Sequence, residues 1–569
     1  MKNTANRFVF PLLACLFSTI GLHANQPNIV LIMSDDMGYS DLGSYGGEID
    51  TPVLDRLARN GLRFTQFYNT SRCCPTRAAL LTGLYSHQAG VGLMTSDLGY
   101  ESYRGQLNRS CVTVAEVLGE VGYANYMVGK WHLTRNGDVR KDGNNSSWPL
   151  QRGFDRFYGT IAGAGSFFDP ASLCRDNMFI TPLNDSEYQP ERFYYTDAIS
   201  DNAVRYISDH FSGRNDDPFF LYVSYTSPHW PLHALEEEME KYKGRYDQGY
   251  REIREARHQK AISEGVVSGE WPLSPEDVSW NEETRKSWNI RCMEVYAAMV
   301  DRMDQGIGRI VTELDARGVL EDTLIVYLQD NGGCAEPFGR RSNLSEKAAH
   351  SFQPLGPDDL QKQIWPPMQT RDGRWVATGP EVMPGAEDTY LAYGIGWANV
   401  SNTPFRGYKH DPTEGGIGTP FILHWPNGTL SSQQGAIVDT VGHLIDVMPT
   451  FVEASGAAYP GQYNGSDIQP MEGVSLIPTL SGDQLKPRQN PIGFEHHGNL
   501  ALRDGRWKIL STYRDEEPIS WELYDMEKDR TELENLADVM PDRLSEMIQK
   551  WEEWAERVGV QPWPIARDN

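Results

Sequence analysis

Positive charge is what this 569-residue chain most lacks: 52 lysines and arginines stand against 78 aspartates and glutamates, a formal net charge of −26. Such a surface repels nucleic acid and anionic membranes, which excludes a nucleic-acid role. It equally repels an anionic substrate, so any anion site must be locally basic. Long apolar runs are scarce as well. Phe8 to Ile20 is too short to span a bilayer comfortably; Lys2 and Arg7 precede it, and Ala24 ends a cleavage-type region. Residues 1–24 read as a signal peptide, so the expected location is periplasmic or secreted, with no stable membrane insertion. Leu12-Leu13-Ala14-Cys15 faintly resembles a lipoprotein box, but the apolar run continues past Cys15, which argues against anchoring there. Cysteine is sparse too. Of seven, six remain beyond the signal, with no metal-type spacing and an even count that permits disulfides without requiring them. There is no repeat and no long charge run, and 39% hydrophobic content is ordinary for a globular protein long enough for a large domain plus a smaller one.

What is present is a recurring pattern: an apolar, β-branched or aromatic run that stops abruptly in polar residues. Asn28 to Met33 runs into Ser34-Asp35-Asp36, and Tyr123 to Val128 into Gly129-Lys130-Trp131-His132. Phe219 to Tyr225 runs into Thr226-Ser227-Pro228-His229, and Thr323 to Leu328 into Gln329-Asp330-Asn331-Gly332-Gly333. Continuous apolar runs of this length suit strands buried on both faces of a parallel sheet. Helices lie between them. Thr51-Pro52 predicts a cap for a helix with Leu54, Leu57 and Ala58 on one face and Gly61 at its end. Thr113 to Glu116 is a capping box, and Tyr296 to Leu314 is a long amphipathic stretch. The alternation predicts an α/β fold, in which ligands sit beyond the carboxyl ends of the strands. All four polar clusters fall there and can converge. Residues 235–288, highly charged and helical in pattern, and 334–399, rich in Pro, Gly, Arg and Trp, break the alternation and read as lids or surface excursions. A hairpin around Asp504-Gly505, a short strand at Trp521–Asp525 and a helix from about Arg543 to Val558 close the chain. The expected division is a catalytic domain at 25–485 and a C-terminal α+β subdomain at 486–569.

Asp35, Asp36, Asp330 and Asn331 offer three carboxylates and an amide oxygen, hard donors suited to Ca²⁺ or Mg²⁺ rather than zinc. Brought together without a cation, the carboxylates would repel one another. Each pair alone is also a good turn; the strand ends favour a site. The segment Ser71-Arg72-Cys73-Cys74-Pro75-Thr76-Arg77 to Gly83 sets Cys73 at or just before a helix N-terminus, where an anion is favoured. On chemistry alone, a buried or redox-active cysteine pair fits equally well.

Cys73-Cys74-Pro75-Thr76-Arg77 matches Cys-x-Pro-x-Arg, followed by Leu-Thr-Gly, and so resembles the signature of the formylglycine-dependent sulfatases of the alkaline phosphatase superfamily. Gly129-Lys130-Trp131-His132 resembles the second signature. Pro228-His229, Asn402 to Lys409 with Glu414-Gly415-Gly416, Gly153-Phe154-Asp155 and Leu523-Tyr524-Asp525 are similar to later motifs. The likeness spans essentially the whole chain beyond residue 24 and is most like bacterial arylsulfatases. It implies a large mixed, mostly parallel sheet between helices with a smaller C-terminal domain. It also implies that Cys73, the only cysteine in register with Pro75 and Arg77, is converted to formylglycine (3-oxoalanine) by a sulfatase-maturing enzyme. Asp35, Asp36, Asp330, Asn331 and residue 73 would bind one Ca²⁺, with Mg²⁺ the lesser choice. One hydroxyl of the hydrated aldehyde would attack sulfur, and the second would lose its proton and expel sulfate. The resemblance makes His132 the base for that step and Arg77 the support of residue 73. It gives the sulfate oxygens to Lys130 and Lys409 and protonation of the leaving alcohol to His229. The expected substrate is an aryl or carbohydrate sulfate ester. A phosphoester or phosphonate hydrolase of the same superfamily and an unmatured glycan-binding homologue are the rivals. Arg340, Arg341, Trp365 and Trp375 are possible sugar contacts, and His410, His496 and His497 possible lining residues.

Overall fold

The computed structural model describes residues 26–213, 217–341 and 352–565. The expected signal peptide at 1–24 and Cys15 lie outside the described residues. Seven strands build the body: β1 (Asn28–Ser34), β2 (Leu62–Tyr68), β3 (Ala124–Lys130), β4 (Arg156–Thr160), β5 (Phe219–Ser224), β6 (Thr323–Gln329) and β7 (Gly418–His424). Their order across the sheet is β2-β7-β6-β1-β5-β3-β4, and short strands extend it to eleven. From β6 to β4 all neighbours are parallel, while β7 runs antiparallel to β6 and β2. The sheet is therefore mixed and mostly parallel, as the family resemblance implies. Met33 pairs with both Leu328 and Ser224, and Ser224 with Gly129, so β6, β1, β5 and β3 end level with one another.

Both faces are covered, which is why the strands are apolar without alternation. Val30, Ile32, Leu221 and Val223 pack with Ile199 and Ala203 of α4 (Tyr195–Gly213) and with Met299, Met303 and Ile307 of α5 (Lys286–Ala316). Ile29, Leu31, Phe220 and Tyr222 face the opposite layer. That layer contains α2 (Cys73–Thr82), α3 (Val114–Gly119) and, from the far end of the chain, α6 (Pro541–Val558). The capping box of α3 forms in full: Thr113 Oγ1 accepts from Glu116 N–H at 3.1 Å, and Glu116 Oε2 from Thr113 N–H at 2.7 Å. The helix α1 (Pro52–Asn60) has the expected bounds but another cap. Thr51 Oγ1 accepts instead from Gly43 N–H, and the free N–H groups of Val53 and Leu54 bond Asp304 of α5 at 2.9 and 2.8 Å. A carboxylate from a packed neighbour meets the positive helix end better than a hydroxyl would.

The charged segment 235–288 is not a loose excursion. It forms helices at Glu236–Tyr242 and Tyr250–Ser263, and buried Arg257 bonds Asp41 and Glu48 at 2.6 and 2.7 Å. In the 334–399 stretch, Arg340 is a strut, bonding Asn289 of α5 and the carbonyls of Ala392 and Tyr393. At the end of the chain β8 (Ile492–His496), β9 (Asn499–Asp504), β10 (Trp507–Ser511) and β11 (Glu522–Asp525) form an antiparallel sheet, with the expected hairpin turn after Asp504. Lys508 of β10 bonds Glu414 and Glu532 at 2.9 and 2.6 Å, and Arg530 bonds Glu414 at 2.7 Å, all fully buried. Glu414 lies four residues before β7, so this knot of charge keys the small sheet to the large one. Among the described residues no helix is long and apolar enough to cross a membrane.

Candidate active site

The level ends of β6, β1, β5 and β3 bring the four polar clusters into one buried site. Asp36 leaves β1 with φ 62°, a left-handed conformation that non-glycine residues adopt at a cost and that clusters at functional sites. The turn points its N–H at Asp330 Oδ1 (3.1 Å) and its Oδ1 at Asn331 Nδ2 (2.8 Å). Oxygens of Asp35 and Asp330 and the sulfur of Cys73 lie within 4.8 Å of one another. Burial and the charge of Asp330 push the Asp35 carboxyl well up, and burial also raises Asp330. Asp36 goes the other way: burial raises it, but His229 and Lys409 together bring it below the usual range.

Five cationic or imidazole side chains surround these acids. Lys130, at the end of β3, reaches Asp35 at 2.6 Å. Lys409 reaches Asp36 at 2.8 Å and Glu336 at 3.5 Å. Arg77, fully buried on the first turns of α2, bonds Asp330 Oδ2 at 3.1 Å, the Lys130 carbonyl at 3.1 Å and the Ser224 hydroxyl. Its guanidinium is therefore fixed in three directions. His229 Nδ1 is tied to the Trp230 carbonyl at 2.5 Å, which turns Nε2 towards Asp36 Oδ2 at 3.5 Å. His132, at φ 55°, comes within 4.8 Å of the Cys73 sulfur. It fits because residue 163 is glycine: a Cβ there would lie 2.0 Å from the imidazole. Burial, foremost, lowers His132 to about 4 and His229 to about 3.

Cys73 is the first residue of α2 and is buried. A hydrogen bond from Cys74 and the cations Lys130 and Lys409 outweigh burial and hold its thiol well below the ordinary range. Cys74 is pushed well up, burial leading. All six cysteines among the described residues are free and buried. Every residue the sequence singles out for chemistry thus reaches one site. The sequence reading misses Glu336, which accepts from Trp230 Nε1 (2.9 Å) and Arg72 (3.2 Å) and lies 3.1 Å from His410 Nε2. A carboxylate six residues after Asp330, in a loop leaving a strand end, is the signal that was available. It also misses Ser224, whose strand-end position beside Lys130 was legible. Arg340 is spent on the fold, whereas Trp365 is 47% exposed.

Residues 27–457 match the sulfatase family, and residues 412–556 match the C-terminal domain of N-sulphoglucosamine sulphohydrolase. An uncharacterized sulfatase of Schizosaccharomyces pombe is 31% identical, covering 95% of this chain and 95% of that protein. An arylsulfatase of Klebsiella aerogenes is 32% identical over 80% of this chain and 93% of its own length. The crystal structure of Ps i-CgsB superposes with TM-score 0.62 at 24% identity over 93% of each chain. The PsFucS1 sulfatase of Pseudoalteromonas sp. does so with TM-score 0.58 at 20% identity over 96% of this chain and 92% of that one, so the fold is shared. Matched over most of its length by family, by relatives and by fold, the chain belongs to the sulfatase family and is a sulfuric ester hydrolase.

Proposed function

We propose that this enzyme hydrolyses aryl or carbohydrate sulfate esters with formylglycine at position 73 and one Ca²⁺ held by Asp35, Asp36, Asp330, Asn331 and residue 73. The observation that carries this reading is the placement of residue 73 at a helix N-terminus inside a ring of oxygen donors and cations. The donor set fits a hard cation: Asp35 Oδ1 and Asn331 Oδ1 are buried with no hydrogen-bond partner, and the neighbouring carboxylates raise one another. A bound divalent cation supplies Lewis acidity and offsets the carboxylate charge. The maturing enzyme would supply the oxidant that converts the Cys73 thiol to an aldehyde with loss of its sulfur, and addition of water would give a geminal diol.

The hydrate at position 73 would supply the nucleophile for sulfur, its attacking hydroxyl giving up a proton to the neighbouring carboxylates as the bond from sulfur to the alcohol oxygen breaks. Lys130 and Lys409 hold the sulfate oxygens, and Arg77, itself anchored on the Lys130 carbonyl and Asp330, steadies the charge at residue 73. His229 gives a proton to the leaving alcohol. With Nδ1–H given to the Trp230 carbonyl, Nε2 carries that proton only in the imidazolium, a form that burial disfavours and the neighbouring Asp36 favours. His132 would take the proton of the second hydroxyl as the bond from residue 73 to sulfate breaks and the aldehyde is restored. In an acidic molecule this pocket is the locally basic place an anionic substrate requires. We read residues 25–485 as the catalytic domain, 486–569 as the closing subdomain, and 1–24 as the leader of an exported protein. The test is turnover of nitrophenyl sulfate against nitrophenyl phosphate by the matured enzyme. Faster sulfate cleavage is expected; faster phosphate cleavage would overturn the assignment in favour of a phosphoester hydrolase.

A further inference from the structure

The C-terminal sheet brings a hairpin to this site. Between β8 and β9, His497 and Gly498 both have positive φ, 55° and 76°, the two-residue turn that suits strand twist. The hairpin is firmly held. Glu495 accepts from Gly498 N–H at 2.9 Å and bonds His87 at 2.9 Å and the Tyr103 hydroxyl at 3.2 Å. His497 stacks on Trp563 at 4.8 Å, and Asn499 Nδ2 donates to the His410 carbonyl at 3.0 Å.

Within it, His496 is 2% exposed and neither ring nitrogen has a hydrogen-bond partner. Among the described histidines it alone has both ring nitrogens buried without a partner. Two unmet polar atoms in the interior are costly, and such groups are ordinarily met by a ligand or ordered water. The ring lies 5.8 Å from that of His410, whose Nε2 is 2.5 Å from Arg72, the residue before position 73. Burial, then the charges of His497, His410 and Arg72, keep the imidazole neutral, with one donor and one acceptor. From His410 the rim continues through Glu336 to Trp230, whose ring stacks on Phe338 at 4.3 Å and 8°.

We propose that His496 is a substrate contact that selects a hydroxylated ring: it bonds a hydroxyl of the sugar bearing the sulfate, while the Trp230–Phe338 pair offers that ring an apolar face. The proposal rests on the sulfatase reading above. A sugar hydroxyl donates and accepts at once and so completes a neutral imidazole, whereas a nitrophenyl group has no such partner.

The test compares the matured enzyme with His496→Ala and His496→Asn on nitrophenyl sulfate and on sulfated galactose and glucosamine, as monosaccharides and oligosaccharides. Melting temperatures confirm that each variant is folded. His496→Ala is expected to lower kcat/KM on the sugar sulfates by about tenfold or more, and to leave nitrophenyl sulfate within about threefold. His496→Asn, which keeps a donor and an acceptor, is expected to recover part of the loss on sugars. Equal losses on both substrate classes, no loss on sugars, or a wild type that cleaves nitrophenyl sulfate but no sugar sulfate would each overturn the proposal. A matured wild type that cleaves no sulfate ester would instead sink the reading on which it rests.

Discussion

Cys73 and Cys74 are adjacent, buried and at the same helix end, yet their surroundings drive their thiols in opposite directions. Cys73 faces Lys130, Lys409 and the acidic cluster; Cys74 packs among the apolar residues of the layer that holds Ala78 and Leu81. The register of Pro75 and Arg77 already separated the two in the sequence. Cys73→Ala is therefore expected to lower kcat/KM on nitrophenyl sulfate by ~10³-fold or more with little change in Tm. Cys74→Ala should stay within about fivefold in activity and cost about 1 kcal/mol of stability, as lost core packing does. With the proposed Ca²⁺ in place, dialysis against a chelator should cut turnover at least ~100-fold and lower Tm, with both restored by Ca²⁺, because a cation so held would bind only the folded site. Glu336 was missed, and His496 was legible only as a possible lining residue with no role. Neither follows an apolar run directly, and what makes them matter is a set of partners drawn from distant parts of the chain.

At the scale of elements, strand ends were the most legible feature. Burial on both faces leaves a plain apolar run, and the run stops where the chain leaves the sheet, so the end of β1 or β6 can be read to within a residue. Helix caps were legible only when local. Thr113 and Glu116 cap α3 from three residues apart, and Thr113→Ala should cost about 1 kcal/mol in chemical denaturation. The cap of α1 comes from Asp304, some 250 positions away, and no local pattern announces it. The close approach of residue 163 to His132 is equally non-local. Gly163→Ala is expected to displace the imidazole and lower kcat by roughly 10- to 100-fold with little effect on KM, since in the proposed mechanism a base moved by about an ångström would lose its alignment while Lys130 and Lys409 would still bind sulfate. A matching rise in KM would contradict that division of labour.

The molecule as a whole reconciles a net charge of −26 with an anion site by spending buried cations where the strands converge. A second buried knot, Lys508 with Glu414, Glu532 and Arg530, joins the C-terminal sheet to the main one. The two-sheet plan was legible from turn and strand patterns; this joint was not, because its members are spread over residues 414–532 with no shared spacing. Lys508→Met leaves two glutamates short of a partner and should cost about 3–5 kcal/mol. Burial raises Glu414, but Lys508 and Arg530 hold it down, to about 2. A depressed carboxyl contributes stability above its unfolded value and loses it as pH falls through the folded one. The stability gap between wild type and Glu414→Gln should therefore close as pH drops from about 4.5 towards 2. A gap that stayed constant over that window would show that the carboxylate charge carries none of the joint. The central claim, that position 73 does not work as a cysteine, is tested most directly by mass spectrometry of the peptide spanning it, from enzyme made where the maturing system is active. The account predicts an aldehyde at residue 73, lighter than the thiol by one sulfur and two hydrogens exchanged for one oxygen, with Cys74 unchanged. An active enzyme whose residue 73 is still a thiol would contradict it.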